Sequence, residues 1–332
     1  YYALSTELVA KTARVLGLLE DAEAYEALYE QIVSAFRREY ITATGRLASE
    51  TQTACVLALY FQLAAPEHRA RILQTLRTNI QKHNGHLVTG FVGTPYLCHT
   101  LSDNGLHELA GEIFLKEDFP SWLNCVNLGA TTIWERWDSM KADGSFDESG
   151  MNSFNHYAYG AIGSWMMRTL AGLKPLKPGY RESLIRPMPI KGITGVTASL
   201  DTPYGPLRCA WRCRNRQMTV DITVPANTTA QIKLPDKEDT IVVGSGEYHY
   251  AYATTLELDK ERYSRESTLG ELMESPATKP YLEKVMPGMT DNTMIKLAYP
   301  MTITQMSANL PQGADAVFDS LIAELNRLEK EE

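Results

Sequence analysis

The chain has 332 residues and a formal net charge of -8, with 44% hydrophobic and 22% charged residues, a composition that fits a soluble globular protein large enough for two or three domains. The acidic balance excludes a nucleic-acid or anionic-membrane surface, which needs a basic field, and no apolar run approaches the roughly 18 to 20 residues of a membrane span. Five cysteines at irregular spacing exclude a complete disulfide framework and point to reduced thiols in a cytoplasmic compartment.

The chain begins YYALSTELVAKTARVLG, with no Met and no signal-like segment, and enters helical periodicity at once, as a cut end would. Tyr2 to Leu19 carries Leu4, Leu8, Val15, Leu18 and Leu19 at helical spacing, and Ala22 to Tyr40 carries Tyr25, Leu28, Ile32, Val33 and Phe36. Ser49 to Ala65 and Pro66 to His83 form a second pair, with Pro66 at a helix start and Asn84-Gly85 at a helix end. Thr94 to Asp103 and Leu106 to Glu117 form a third, split by Asn104-Gly105, and a seventh helix is expected over about Asn155 to Leu173. Short connections make consecutive helices antiparallel neighbours. The odd count leaves one helix without its partner.

After Leu173 the grammar changes. LKPLKPGYRESLIRPMP is rich in Pro, and from Gly192 short alternating runs follow: GVTASLDTPYG, PLRCAWRCRN, QMTVDITVP, TTAQIKLP and TIVVGSGEYHYAYA. Turn residues punctuate them every 8 to 12 residues, the signature of an antiparallel β-sandwich. Cys209 and Cys213 lie four apart in one such run, about 13 Å at the strand rise and too far for a bridge. From Arg262 the chain is helical again, a Met-rich appendix with Met273, Met286, Met289, Met294, Met301 and Met306. The expected domains are 1–174, a helical part; 175–261, the sandwich; and 262–332, the appendix.

One segment, GATTIWERWDS, has no clean period. It sets Glu135 and Asp138 among Trp134, Trp137 and Arg136. A carboxylate beside aromatic rings in an irregular segment loses hydration, which suits a general acid or base, and indole faces can carry the C–H face of a sugar. A buried Glu135-Arg136 or Asp138-Arg136 pair beside core tryptophans fits the same residues, and the local pattern leaves both readings open. His83, His86, His99 and His107 are scattered near helix ends without the spacing of a zinc site. His156 alone reads as a core or capping histidine, and Trp122 fits the core or a sugar cleft equally. Asn227-Thr228-Thr229 matches a glycosylation sequon but reads as a plain turn. No Gly-rich loop follows a strand, so no nucleotide cofactor is implied.

The blocks TGFVGT, PSW, GATTIWERWDS and SFNHYAYG, in that order, resemble the catalytic domain of bacterial α-L-rhamnosidases, glycoside hydrolase family 78, over about residues 1 to 255. The resemblance implies the second half of an (α/α)6 barrel, six helical hairpins, followed by a β-sandwich. It implies that Glu135 is the general base of an inverting glycosidase and that His156 binds sugar, with Trp134 and Trp137 shaping the substrate site. It implies a rhamnose-containing glycoside as substrate. The general acid of the family lies in an Asp/Arg/Glu-rich motif that this chain does not contain, so it would come from a missing N-terminal half. Asp138, three residues from Glu135, is too near for the roughly 6.5 to 9.5 Å of an inverting pair. The expected partners are therefore that half of the barrel or a second copy of the chain. The alternative is a non-catalytic scaffold or oligomerisation module derived from a rhamnosidase.

Overall fold

The computed structural model describes residues 1–141, 143–146, 150, 152–259, 263–265, 267–276, 278–285, 297–307 and 314–331, in two compact units divided between Leu258 and Asp259. The first unit opens with three helical pairs: α1 (Tyr2–Val15) on α2 (Leu19–Tyr40), α3 (Gln52–Tyr60) on α4 (Pro66–Lys82), and α5 (Gly90–Asp103) on α6 (His107–Phe114). Local chemistry sets their ends. Gly17 at φ +75 stops α1 four residues before the expected Leu19, Thr51 caps α3 by accepting the Ala54 N–H at 3.2 Å, and Asn84 and Gly85, both at positive φ, end α4.

Two helical features differ from the sequence reading. A six-residue helix, α7 (Trp122–Asn127), stands where no helix is expected; Ser121 caps it by accepting the Asn124 N–H at 3.0 Å. The expected helix over 155 to 173 is a shorter composite, α8, of a 3-10 turn (Ala158–Ala161), an α turn (Ile162–Trp165) and a π turn (Met166–Leu170). Eight helical segments, rather than seven, thus precede the strands among the described residues. Six residues are too few to show a period, and the π turn shifts the apolar pattern out of register.

Eight strands follow, in two four-stranded sheets: β1 (Leu173–Pro175), β2 (Glu182–Ile185), β6 (Thr229–Ile232) and β7 (Ile241–Val243), in that order; and β3 (Gly195–Thr202), β4 (Gly205–Arg214), β5 (Gln217–Val224) and β8 (Gly246–Ala253). All the pairings are antiparallel except β2 with β6, which is parallel. The Pro-rich stretch therefore holds two short strands. Pro175 is tolerated because β1 lies at a sheet edge. Strict alternation on β4 and β5 buries Leu207, Cys209, Trp211 and Cys213 against Met218, Val220 and Ile222. Asn227, at φ 59, turns the chain between β5 and β6. All five cysteines are buried.

The helices and the sandwich share a packed seam. Ile190 is fully buried in the helical core, and Ile193 and Val196 touch both cores. Polar groups cross it in an ordered relay: the Trp165 indole N–H donates to Ser102 Oγ at 2.9 Å, the Ser102 hydroxyl to His107 Nδ1 at 3.0 Å, and His107 Nε2–H to the Met188 carbonyl at 3.1 Å. The Trp211 indole donates to the Leu170 carbonyl at 2.8 Å. Buried polar groups without such partners cost roughly 1–3 kcal/mol each.

The second unit has a small core of its own. Tyr263, Leu269, Leu272, Met273, Leu282, Ile303, Ile322 and Leu325 pack together from α9 (Leu269–Glu274), α10 (Lys279–Val285), α11 (Ile303–Ser307) and α12 (Ala314–Glu331). Thr268 and Glu271 close a capping box on α9, and Asn326 bonds both backbone groups of Tyr263 at 2.8 Å. Met273 and Met306 fill this core; Met286, Met289 and Met294 lie outside the described residues.

Gly172 joins α8 to β1 at φ +78, and a Cβ there would stand 2.2 Å from both the Arg186 carbonyl carbon and the Pro187 nitrogen. We expect Gly172→Ala to destabilise the first unit by at least about 3 kcal/mol, since a left-handed residue alone costs about 1–2 kcal/mol and the clash adds to it. Urea unfolding of the two proteins measures this.

Candidate functional site

The loop after α7 turns at Gly129 (φ +90) and pairs with the segment that leads into α8. Glu135 N–H donates to the Ser153 carbonyl at 2.8 Å, His156 N–H donates to the Ile133 carbonyl at 2.8 Å, and Thr132 Oγ1 donates to the Phe154 carbonyl. Ser153 N–H in turn donates to Glu135 Oε2 at 2.9 Å. Glu135 and His156, 21 positions apart in sequence, are thus fixed on two paired segments. The carboxylate is half-buried and held by a backbone donor, a contact that orients it.

Arg136 takes the other acid. Its Nε donates to Asp138 Oδ1 at 3.0 Å and its Nη2 to Oδ2 at 3.2 Å, so both Asp138 oxygens serve a guanidinium fork. Ser139 Oγ accepts the Arg136 N–H at 3.2 Å, and the Ser139 carbonyl accepts from Asn152 Nδ2 at 2.8 Å. Of the buried pairs open in the sequence, the structure forms Asp138-Arg136, but half-exposed rather than buried.

Both indoles support the loop from within. Trp134 is buried, edge-on to Phe154 at 5.3 Å. Trp137 stacks on Tyr159 at 3.9 Å and 14° and meets Trp122 edge-on at 5.4 Å, while the Trp122 indole donates to the Tyr159 carbonyl at 2.9 Å. Trp122 takes the core role of the two left open by the sequence. Behind them is an apolar cavity of about 360 Å³ whose lining includes Trp122, Trp134, Trp137, Tyr159 and Cys125. Burial pushes the Cys125 thiol up to about 11, and burial with the Asp138 charge raises the Tyr159 phenol. Both side chains stay neutral in this wall.

Two aromatic rings lie parallel to the His156 imidazole. Phe91, in the first turn of α5, is parallel to it within 15° at 4.9 Å, and Tyr157 within 7° at 5.4 Å. Ala158 N–H donates to His156 Nδ1 at 3.3 Å. Residue-level reasoning missed Phe91, Ser153 and Tyr157, although TGFVGT and SFNHYAYG contain them.

The other histidines stand apart. His86 Nε2 meets Asp118 at 2.9 Å and its Nδ1 the Pro120 carbonyl at 3.2 Å, and His83 bonds the Asn79 carbonyl at 2.8 Å. Among the described residues no three His, Cys, Asp or Glu converge as metal ligands, and no helix is long and apolar enough to cross a membrane.

The fold and its paired Glu135 loop define the helical-hairpin part of a glycosidase domain joined to a β-sandwich. Residues 1–170 match the family model of the bacterial alpha-L-rhamnosidase 6 hairpin glycosidase domain, and residues 172–249 match that of the bacterial alpha-L-rhamnosidase C-terminal domain. The chain belongs to the bacterial α-L-rhamnosidase family. An alpha-L-rhamnosidase of Formosa agariphila is 41% identical over 246 residues, 73% of this chain and 26% of the relative, and one of Streptomyces avermitilis is 39% identical over 71% of this chain and 23% of its own length. The crystal structure of the Streptomyces avermitilis α-L-rhamnosidase complexed with L-rhamnose superposes with a TM-score of 0.72 at 37% identity, covering 76% of this chain and 26% of that one. That of the native Aspergillus terreus enzyme gives 0.73 at 35% identity, covering 76% and 29%. The chain therefore spans about a quarter of the length of the relatives it matches.

His99 on α5 is a buried neutral group. Burial first, then the Arg168 charge, lowers its pKa from 6.5 to about 4, against a smaller opposing pull from Asp103. An unfolded chain takes up this proton below pH 6.5 while the folded chain does not, so stability is full above pH 6.5 and is lost as pH falls toward 4. We expect this group alone to remove on the order of 3 kcal/mol across that window. Urea unfolding at several pH values should show a shallower loss in His99→Gln than in the unaltered chain.

Proposed function

We propose that this chain is the C-terminal portion of an inverting α-L-rhamnosidase and carries its general base, Glu135. The observation that carries the reading is the backbone pairing that presents the Glu135 carboxylate, oriented by Ser153 N–H, beside the His156 segment. In an inverting hydrolysis this carboxylate takes a proton from a water on the face of the anomeric carbon opposite the leaving group. The water oxygen bonds to that carbon as the glycosidic bond breaks, and a general acid protonates the departing oxygen. His156 offers a donor to the sugar, while Trp134 and Trp137 back the loop and keep solvent from its inner side.

The acid is not Asp138, whose oxygens serve Arg136. We assign it to a preceding half of the barrel. Leu8, Val9 and Val15 on α1, Leu16 at its end, and Val126, Ile133 and Met166 around α7 and α8, are exposed apolar residues that such a half would cover. The alternative cover is a second copy of this chain. Five cysteines that are all buried suit a cytoplasmic setting.

In the barrel completed by its preceding half, Glu135→Gln keeps the shape of the side chain and removes the base, so turnover of an aryl α-L-rhamnoside should fall about 10²- to 10⁴-fold with the melting transition unchanged. Near-normal turnover would sink the assignment. The chain by itself should release no rhamnose from the same substrate, and light scattering should show it associated; an active monomer would place the acid within these residues.

A further inference from the structure

Phe91 is 43% exposed and Tyr157 88% exposed, and neither belongs to a buried cluster. Aromatic rings gain most from burial, so core packing does not account for Tyr157, and it reaches Phe91 only through a tilted contact with Tyr159 at 5.2 Å. Both lie parallel to the imidazole of His156.

We propose that Phe91 and Tyr157 are positioning residues that hold the His156 imidazole edge-on as a single-direction hydrogen-bond donor toward the sugar; this rests on the reading of His156 as a sugar-binding residue. Three restraints act on one side chain. Its own N–H to the Ile133 carbonyl fixes the backbone from which the ring projects. The parallel rings oppose rotation about χ2, a torsion that is otherwise broad. Ala158 N–H occupies Nδ1, so that nitrogen is an acceptor, the proton sits on Nε2, and the two edges of the ring are no longer equivalent. Nε2–H has no partner among the described residues, which leaves it for a ligand hydroxyl.

Phe91 comes from the first turn of α5, so the clamp joins elements 65 positions apart in sequence. It couples the TGFVGT turn to the SFNHYAYG segment. A donor already fixed in direction loses little freedom when the sugar arrives.

The test uses this chain with ¹⁵N-labelled histidine and two-bond ¹H–¹⁵N correlation spectra, which separate the imidazole tautomers. The unaltered chain should show His156 as one Nε2–H tautomer. Phe91→Leu and Tyr157→Leu should average its two tautomers, and Tyr157→Phe should keep the fixed pattern. In the completed barrel each Leu variant should raise KM for an aryl α-L-rhamnoside about three- to tenfold, the worth of one aromatic pair, with kcat changed less than about twofold, and Tyr157→Phe should restore KM. An averaged His156 in the unaltered chain, or Leu variants with an unchanged spectrum and unchanged KM, would overturn the proposal. If Glu135→Gln or His156→Asn leaves hydrolysis intact, the functional reading fails instead, and the spectra still decide whether the rings hold the imidazole.

Discussion

The site depends on one set of contacts, the backbone pairing of residues 132–135 with 153–156. Neither segment belongs to a helix or a sheet, and alone each would be a loop whose side chains sample many directions. Paired, they satisfy their own backbone groups and place Glu135 and His156 on neighbouring segments. The Ser153 N–H that reaches the Glu135 carboxylate is part of the same pairing, so the bond that orients the carboxylate also closes the loop. Trp122 and Trp137, with Tyr159 stacked on Trp137, press on this structure from the core side, and Trp134 packs edge-on to Phe154 within it. The aromatic density around the acid is thus a foundation for the loop, which is how a non-periodic segment is held at a fixed place.

The seam between helices and strands gives this loop a rigid base. α8 runs from the Tyr157 end of the site to Gly172 and there enters the first strand. The indoles of Trp165 and Trp211 pin it at both sides, one through Ser102 and His107 to the segment before β3, the other through the Leu170 carbonyl to β4. The two core clusters meet at Ile193 and Val196, and the contacts group helices and sandwich into one compact unit. A sandwich joined this way braces the helix that carries the site.

Much of this was legible in the sequence because it is local. Tyr25, Leu28, Ile32 and Phe36 announce a helix by spacing, and the alternation from Leu207 to Cys213 announces a strand with one buried face. What stayed hidden depends on partners far along the chain. The strand Glu182–Ile185 is short and lies among prolines, and it is held between Leu173–Pro175 and, in parallel, the distant Thr229–Ile232. α7 stayed hidden for another reason, since six residues are too few to show a period. At the site, the motif blocks marked Glu135 and His156, yet nothing local says that Ser153 would hold the carboxylate or that Phe91 would lie against the imidazole, because those contacts span 18 and 65 positions. The choice between Glu135-Arg136 and Asp138-Arg136 was likewise open until geometry formed the second.

A carboxylate fixed as a water-activating base commits the reaction to one stereochemical course, since the water must enter opposite the leaving group. The most direct measurement is therefore the anomeric form of the first rhamnose released by the completed barrel, followed by ¹H NMR before mutarotation mixes the anomers. The β-anomer of L-rhamnose should form first from an α-L-rhamnoside if Glu135 activates water. First formation of the α-anomer would mean a covalent glycosyl-enzyme on a nucleophilic carboxylate and would contradict the role assigned to Glu135.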